Sequence, residues 1–303
     1  MIEIAAFYKF ERVQDPHSLQ KRLRALCEQH HIKGIILIAP EGINGTITSE
    51  RDNLAAALVG LRREPGFHDL EHKSSFAEQR PFHRMKVRLK KEIVTIGDTS
   101  IDPSVRVGTY VEPKDWNRLI EDPEVLVIDT RNDFEVAVGT FAGAIDPKTR
   151  SFGAFPAFIR NNFDPAKHKK IAMFCTGGIR CEKASSFMLG EGFEDVFHLK
   201  GGILNYLEKV PEDQSLWRGG CFVFDERVAV GHGLAVQPVR MCLSCDSPIG
   251  SEAMQSADYE DGVSCPSCAN ILTGEQKASA RERQRQIRLA MLKGKSHLGP
   301  KAS

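Results

Sequence analysis

One short segment in the middle of the chain constrains the fold more than any other. The apolar residues Met173 and Phe174 lead into Cys175-Thr176-Gly177-Gly178-Ile179-Arg180, and a helical pattern begins near Glu182. Adjacent glycines let a loop between a strand and a helix curl without Cβ clashes. Such a loop surrounds the cysteine sulfur with backbone N–H groups at the positive end of a helix. We therefore predict that Cys175 is a nucleophilic thiol with a depressed pKa.

Two residues at the end of this loop complete the candidate site. Arg180 either adds a fixed positive charge near the sulfur or braces the loop, and we assign it a catalytic role beside Cys175. Cys181 is a candidate second thiol, or else a filler on the first helical turn. The alternative for Cys175 is a buried structural cysteine next to an unrelated turn, without a catalytic role. The loop residues between Cys175 and Arg180 are Thr176, Gly177, Gly178 and Ile179.

The order of apolar patterns predicts an α/β protein built from two domains and a smaller third region. Short apolar strands alternate with helices between residues 121 and 217, which is typical of a parallel sheet. Residues 1–95 follow the strand–helix–strand–strand–helix–strand order of a ferredoxin-like (acylphosphatase-like) α+β domain, with Arg84–Lys91 as the last strand. The remaining segments are predicted to be a linker at 96–120, a cysteine-rich region at 218–275 and a basic tail at 276–303.

Four of the eight cysteines form two Cys-x-x-Cys pairs near the C-terminus. Cys242 and Cys245 make the first pair, Cys265 and Cys268 the second, and nineteen residues separate the pairs. This spacing is typical of a zinc ribbon, in which four thiolates hold a structural zinc ion. The alternative is four unmetallated thiols in a loop region. Because four sulfur ligands leave no open position, we expect the metal to be structural rather than catalytic.

A basic strand closes the N-terminal domain in this reading. Alternation along the strand places Arg84, Lys86, Arg88 and Lys90 on one face, where they would make a track for nucleic-acid phosphates. The alternative is that these four side chains form only a solvated outer face of the strand and bind no nucleic acid. No apolar run approaches the roughly 18 residues that span a bilayer, and the N-terminus lacks the layout of a signal peptide. We therefore expect a soluble, cytoplasmic protein that does not engage a membrane; its oligomeric state is not predicted.

The segment Cys175–Arg180 resembles the active-site loop of rhodanese-like sulfurtransferase domains, whose cysteine carries a persulfide. The flanking segments Asp129–Glu135 and Val196–Gly202 are similar to neighbouring motifs of that family. The stretch Thr140-Phe141-Ala142 departs from it, because a His-Ile-Pro-like sequence is more usual there. The loop is one residue shorter than that of related phosphatases, which disfavours phosphate as the substrate.

The combination of both domains is more specific than either alone. Glu41-Gly42-Ile43-Asn44-Gly45-Thr46 in the first domain, followed by the Cys175 loop, resembles the tRNA uridine hydroxylase family over roughly residues 1–250. The resemblance implies conversion of the wobble uridine, position 34, to 5-hydroxyuridine, with tRNA bound through its anticodon region and molecular oxygen as co-substrate. The cysteine of the family's rhodanese motif matches Cys175. The sequence shows no motif for flavin or nicotinamide.

Two other functions stay open on the sequence alone. A rhodanese-type sulfurtransferase would carry sulfur as a Cys175 persulfide, although simple sulfur transfer does not require the extra domain and its basic strand. A zinc-ribbon RNA-binding adaptor with an inert rhodanese fold is the non-enzymatic alternative, and the intact Cys175 loop argues against it. In the enzymatic reading, a thiolate that adds to C6 of uracil would generate a C5 enolate able to attack oxygen.

Overall fold

The computed structural model describes residues 2–78 and 81–293 and begins with a five-stranded sheet covered by two helices. The sheet order is β4-β1-β3-β2-β5, and β4, β1, β3 and β2 form the antiparallel ferredoxin-like arrangement predicted from the sequence. The elements are β1 Ile2–Phe10, α1 Pro16–Gln29, β2 Lys33–Ala39, β3 Gly42–Ser49, α2 Arg51–Arg62, β4 His72–Ala77 and β5 Met85–Leu89.

The prediction of the last strand of this domain from the sequence was wrong. The fourth ferredoxin-like strand is His72–Ala77, which pairs antiparallel with β1. The basic segment predicted for that place forms β5, an extra strand that pairs parallel with β2 at the opposite edge of the sheet. β4 was missed because its sequence, HKSSFA, lacks alternating apolar residues, and all but one of its side chains are only half-buried.

Local sequence chemistry explains the first helix. Asp15 caps α1 by accepting a hydrogen bond from the Ser18 backbone N–H at 2.9 Å, and Pro16 occupies the first turn, where its missing N–H costs nothing. Apolar residues spaced by four, Leu19, Leu23 and Cys27, bury one face of α1 in the domain core.

The central domain is a parallel four-stranded sheet in the order β6-β10-β9-β7, packed between two apolar clusters. Its first strand and helix lie within 96–120, the segment predicted to be a linker. Because β6 pairs with β10, the domain begins before residue 121. The elements are β6 Thr109–Val111, α3 Pro113–Ile120, β7 Val125–Asp129, α4 Asp133–Val136, β8 Gly139–Phe141, α5 Phe155–Asn162, β9 Lys170–Phe174, α6 Ile179–Gly190, β10 Asp195–Leu199 and α7 Gly202–Lys209.

Short strand pairs and a final helix follow the central domain. β11 (Trp217–Gly219) pairs with β8 of the central domain, and Cys221, Val223 and Val230 pack into the same apolar cluster as that domain's sheet, so the domain extends past the predicted boundary at 217. The other elements are β12 Cys221–Phe222, β13 Ala229–Val230, β14 Arg240–Met241, β15 Pro248–Ile249 and α8 Gly274–Leu292. The end of the predicted basic tail, 294–303, lies outside the described residues. Within 2–78 and 81–293, no helix is long and apolar enough to cross a membrane.

Candidate active site

The loop after β9 holds the predicted nucleophile. Cys175 follows the last residue of the strand, at the carboxyl edge of the parallel sheet, where α/β folds place their ligand sites. Its sulfur is fully buried and accepts a hydrogen bond from the Gly178 backbone N–H at 3.1 Å. Gly178 has a φ of 108° and directly precedes α6, so a residue with a side chain would be strained there. The helix begins at Ile179, one turn earlier than the sequence indicated.

The surroundings of Cys175 favour the thiolate. Burial raises the pKa of this thiol. Hydrogen bonds from Cys181 and Gly178 and the positive charge of Arg180 lower the pKa by more than burial raises it, so the net pKa lies well below the usual range. Burial and the neighbouring Cys175 charge raise the pKa of Cys181, which therefore keeps its proton. The structure thus brings the two thiols together as a charged acceptor and a neutral donor.

Arg180 braces the loop through a carboxylate. Its guanidinium forms two hydrogen bonds, of 2.6 and 2.7 Å, with the buried side chain of Glu135 at the start of the central domain's second helix. Thr176 Oγ1 also donates to Glu135, at 3.3 Å. Burial raises the pKa of Glu135, but the Arg180 charge outweighs it and keeps the pKa low. The bidentate pair fixes the Arg180 side chain and holds its charge near the Cys175 sulfur.

The N-terminal domain contributes three further contacts that the sequence did not reveal. Tyr8 on β1 donates to Glu182 Oε1 at 2.7 Å, and its hydroxyl lies directly over Gly178. Lys73 on β4 donates to the carbonyl oxygen of Gly177 at 3.1 Å and also to that of Gly201. Burial raises the pKa of Tyr8, whereas burial lowers the pKa of Lys73 to about 8.

A buried ion triad joins the two domains beside the site. Lys183 in α6 is fully buried, and its Nζ lies 2.6 Å from a carboxylate oxygen of Glu41 and 2.6 Å from one of Glu92. Glu41 begins the motif of the first domain that carried the family resemblance, and Lys183 lies four residues C-terminal to Ile179. Ile179 also packs against the small apolar cluster between the domains. The two diagnostic motifs of the sequence therefore meet in space.

The four C-terminal cysteines come together as their spacing predicted. The sulfur atoms of Cys242, Cys245, Cys265 and Cys268 all lie within 4.8 Å of one another, and the Cys242–Cys268, Cys245–Cys265 and Cys265–Cys268 separations are 3.6 to 3.8 Å. A tetrahedral zinc ion with Zn–S bonds of about 2.3 Å requires sulfur separations of about 3.8 Å. The cluster therefore fits zinc in geometry and in ligand chemistry.

The basic strand lies apart from this chemistry, at an edge of the N-terminal sheet. Arg84, Arg88 and Lys90 are exposed and Lys86 is half-buried, while Val87 points into the core, as the alternation predicted. Among the described residues, none of these four cations is in an ion pair. Their charges are therefore available to a polyanion.

Comparison with protein families identifies both domains. Residues 2–93 match the model described as UPF0176 acylphosphatase like domain, and residues 112–209 match the rhodanese-like domain. Two solved structures are similar to the central domain at low scores. A rhodanese-like domain from Anabaena sp. is 17% identical, over 36% of this chain and 78% of that one, with a TM-score of 0.31. A rhodanese-related protein from Thermoplasma volcanium is 22% identical, over 33% and 90%, with a TM-score of 0.26.

Two curated relatives match nearly the whole chain. A tRNA uridine(34) hydroxylase from Rhizobium leguminosarum bv. trifolii is 55% identical over 296 residues, which cover 98% of this chain and 96% of the relative. A protein of the same name from Acaryochloris marina is 54% identical over 298 residues, with the same coverage of both chains. The similarity thus extends through both domains and the cysteine-rich region.

Proposed function

We propose that this chain, which belongs to the tRNA uridine(34) hydroxylase family, hydroxylates the wobble uridine of tRNA at C5, with Cys175 as the nucleophile. The observation that carries the assignment of Cys175 is the buried sulfur that accepts the Gly178 N–H beside a protonated Cys181. Burial raises the pKa of Cys27 and of Cys221 to about 12, so neither is a thiolate at neutral pH.

The chemistry begins with addition of the Cys175 thiolate to C6 of uracil, which places negative charge on C5 and O4. The C5 carbanion attacks molecular oxygen, and the resulting peroxide anion takes up one proton from solvent to give a C5 hydroperoxide. An external thiol reductant supplies two electrons and two protons, which cleave the O–O bond and release water. Loss of the C5 proton and expulsion of the Cys175 thiolate from C6 then restore the double bond and give 5-hydroxyuridine.

Nucleoside mass spectrometry tests this proposal. Wild-type protein, tRNA, oxygen and a thiol reductant should yield a wobble nucleoside one oxygen atom heavier than uridine, and heavy-isotope oxygen gas should label it. Cys175→Ser should abolish the product, whereas the matched control Cys27→Ser, at a buried cysteine in the core of the N-terminal domain, should retain it. Unmodified tRNA together with thiocyanate formed from thiosulfate and cyanide would instead assign a sulfurtransferase with a Cys175 persulfide.

The cysteine cluster supports a structural zinc ion in the proposed enzyme. Four thiolates would complete the coordination of the metal, which would stabilise the C-terminal region and take no part in hydroxylation. Elemental analysis of purified protein should find one zinc per chain. Cys242→Ser should lose most of this zinc, and Cys27→Ser should retain it. Iron in place of zinc, or a full zinc content in Cys242→Ser, would contradict the assignment.

The substrate partner in this proposal is tRNA, held in part by the basic strand. Arg84, Arg88 and Lys90 present cations along one edge of the domain that also supplies Tyr8 and Lys73 to the catalytic loop. A phosphate track on that domain would bind the anticodon arm while the wobble base enters the site. A tRNA substrate also agrees with the cytoplasmic location expected from the sequence.

A further inference from the structure

The backbone of the Cys175 loop is held by groups that bind its carbonyl oxygens. The Ile203 and Leu204 N–H groups at the start of α7 donate to the carbonyls of Cys175 and Thr176, at 2.9 and 3.1 Å. The next carbonyl in the loop, Gly177, is bound instead by the Lys73 ammonium of the N-terminal domain. Each loop carbonyl in this series therefore has a donor, and the last donor comes from the other domain.

The Gly177–Gly178 peptide unit has its two polar groups on opposite sides. In a trans peptide the C=O and N–H directions are antiparallel. At one end of this unit Gly177 O accepts from Lys73 at 3.1 Å, and at the other end the Gly178 N–H donates to Cys175 Sγ at 3.1 Å. The cation and the sulfur are thus joined through one planar group.

This peptide has little steric restraint of its own. It lies between two glycines, which allow backbone rotations that other residues resist. A Cβ built on Gly177 would meet nothing within 4 Å, so there is open space beside that residue, whereas a Cβ on Gly178 would lie 2.7 Å from the Tyr8 hydroxyl. A rotation of the unit by half a turn would point the Gly177 oxygen toward the sulfur and remove a hydrogen-bond donor from the thiolate. The hydrogen bond from Lys73 opposes that rotation, because it would be broken.

We propose that Lys73 is a positioning residue through which the N-terminal domain activates Cys175, by fixing and polarising the Gly177–Gly178 peptide whose N–H donates to the sulfur. The functional consequence rests on the hydroxylase function proposed above, whereas the effect on the thiol does not. Lys73 touches neither the sulfur nor the base in this role. This role gives the N-terminal domain a function in the active site of the rhodanese-like domain.

Other charged groups face the two partners, and the test must separate them from Lys73. Arg180, Cys181, Glu182 and Tyr8 surround Cys175. The Cys175 charge acts on Lys73 directly, and Cys221, Glu208 and Lys209 act on it as well. Apart from the Cys175→Ser references, none of these residues changes in the variants used below, so a difference between variants reports on position 73.

The test measures the ionisation of Cys175 in the full chain from the ultraviolet absorbance of the thiolate. Each variant is titrated with pH against the same variant carrying Cys175→Ser, so the other cysteines cancel. Lys73→Met should raise the titration midpoint of Cys175 by about one to two pH units, the effect of weakening one hydrogen bond to a charged sulfur. Lys73→Arg should restore most of the shift, since arginine retains a charged donor.

Lys9→Met is the matched control. Lys9 lies in the same domain and also donates to a backbone carbonyl, that of Gly66, but it has no contact with the loop. The titration midpoint of Cys175 in Lys9→Met should equal that in the wild type. If Lys73→Met does not fold, Lys73→Gln replaces it, and a smaller upward shift is expected because a neutral amide polarises the peptide less than a cation. An unchanged midpoint in a folded Lys73→Met or Lys73→Gln protein would overturn the proposal.

Hydroxylation kinetics provide the second measurement. Lys73→Met should lower kcat at least tenfold while KM for tRNA changes less than twofold, since the residue acts on the nucleophile. A rise in KM alone would show that Lys73 binds tRNA and would overturn the positioning role. A shifted midpoint in a protein whose wild type does not hydroxylate tRNA would refute the proposed function and leave the role of Lys73 in thiol activation intact.

Discussion

Replacing Lys183 with methionine is expected to lower the free energy of unfolding by about 3–5 kcal/mol, because it removes the single cation between two buried carboxylates. The Lys183 side chain is fully buried, and the side chains of Glu41 and Glu92 are only 15% and 4% exposed. Both carboxylates would keep backbone donors, since Ile93 N–H donates to Glu41 and Ile96 N–H to Glu92. Because those hydrogen bonds would still stabilise both carboxylates, the expected decrease in the free energy of unfolding stays at about 3–5 kcal/mol rather than exceeding it.

An exposed ion pair of the same length provides the control. Lys200 Nζ lies 2.6 Å from Glu112, the separation found in the buried triad, but the two side chains are 51% and 42% exposed. Lys200→Met should therefore cost less than about 1 kcal/mol. Because the distances match, the difference between the two variants reports on burial together with the second carboxylate of the triad.

Urea unfolding followed by two signals is the assay. The two tryptophans, Trp116 and Trp217, both lie in the central domain, so their fluorescence reports on that domain alone, whereas circular dichroism reports on the whole chain. The triad couples the domains, so the two transitions should coincide in the wild type and separate in Lys183→Met. A Lys183→Met protein as stable as Lys200→Met, with coincident transitions, would refute the electrostatic argument.

Two further predictions concern pH and tRNA binding. Hydroxylation should follow a bell-shaped pH profile: the rate falls at low pH as Cys175 gains a proton, and it falls above about pH 8 as Lys73 loses its proton and its charge on the loop. Lys73→Arg should remove the alkaline limb, and an alkaline limb that persists in this variant would contradict the assignment. Arg84→Ala and Arg88→Ala should each weaken tRNA binding and reduce the slope of log affinity against log salt concentration by about 1. The control Arg51→Ala, at an exposed arginine on α2, should leave this slope unchanged. Equal slopes in all three variants would exclude β5 from the interface.

Features encoded by neighbouring residues were predictable from the sequence. The Cys175 loop was recognised because a strand end, two glycines and a helix start occur within a few positions, and these residues specify the strand–loop–helix pattern. The four zinc-type ligands were likewise recognised from the spacing of two pairs, and their sulfur atoms converge in the structure. In both cases the chemistry is contained in short segments of the chain.

Features that depend on distant residues were not predictable in this way. Lys73 and the Gly177 carbonyl are 104 positions apart, and Lys73 lies on a strand whose sequence shows no strand-like alternation. Tyr8 was assigned correctly to a strand, but nothing in that strand indicates a partner 174 positions away. The alternation of Arg84–Lys91 predicted a strand and its exposed face. An edge strand has the same sequence pattern at either edge of a sheet, so the pattern could not predict which edge this strand occupies.

The first turn of α6 shows why the two motifs of this family occur together. Four consecutive residues cover the whole circumference of a helix, because each adds about 100° of rotation. Here each of the four has a different partner, since Arg180 binds Glu135, Cys181 meets the active-site thiol, Glu182 binds Tyr8, and Lys183 binds two glutamates. A helix with this charged sequence would ordinarily leave one face in water. In this chain the N-terminal domain occupies that face and completes the active site, and among the described residues the charge of Lys183 is paired only when both domains are present.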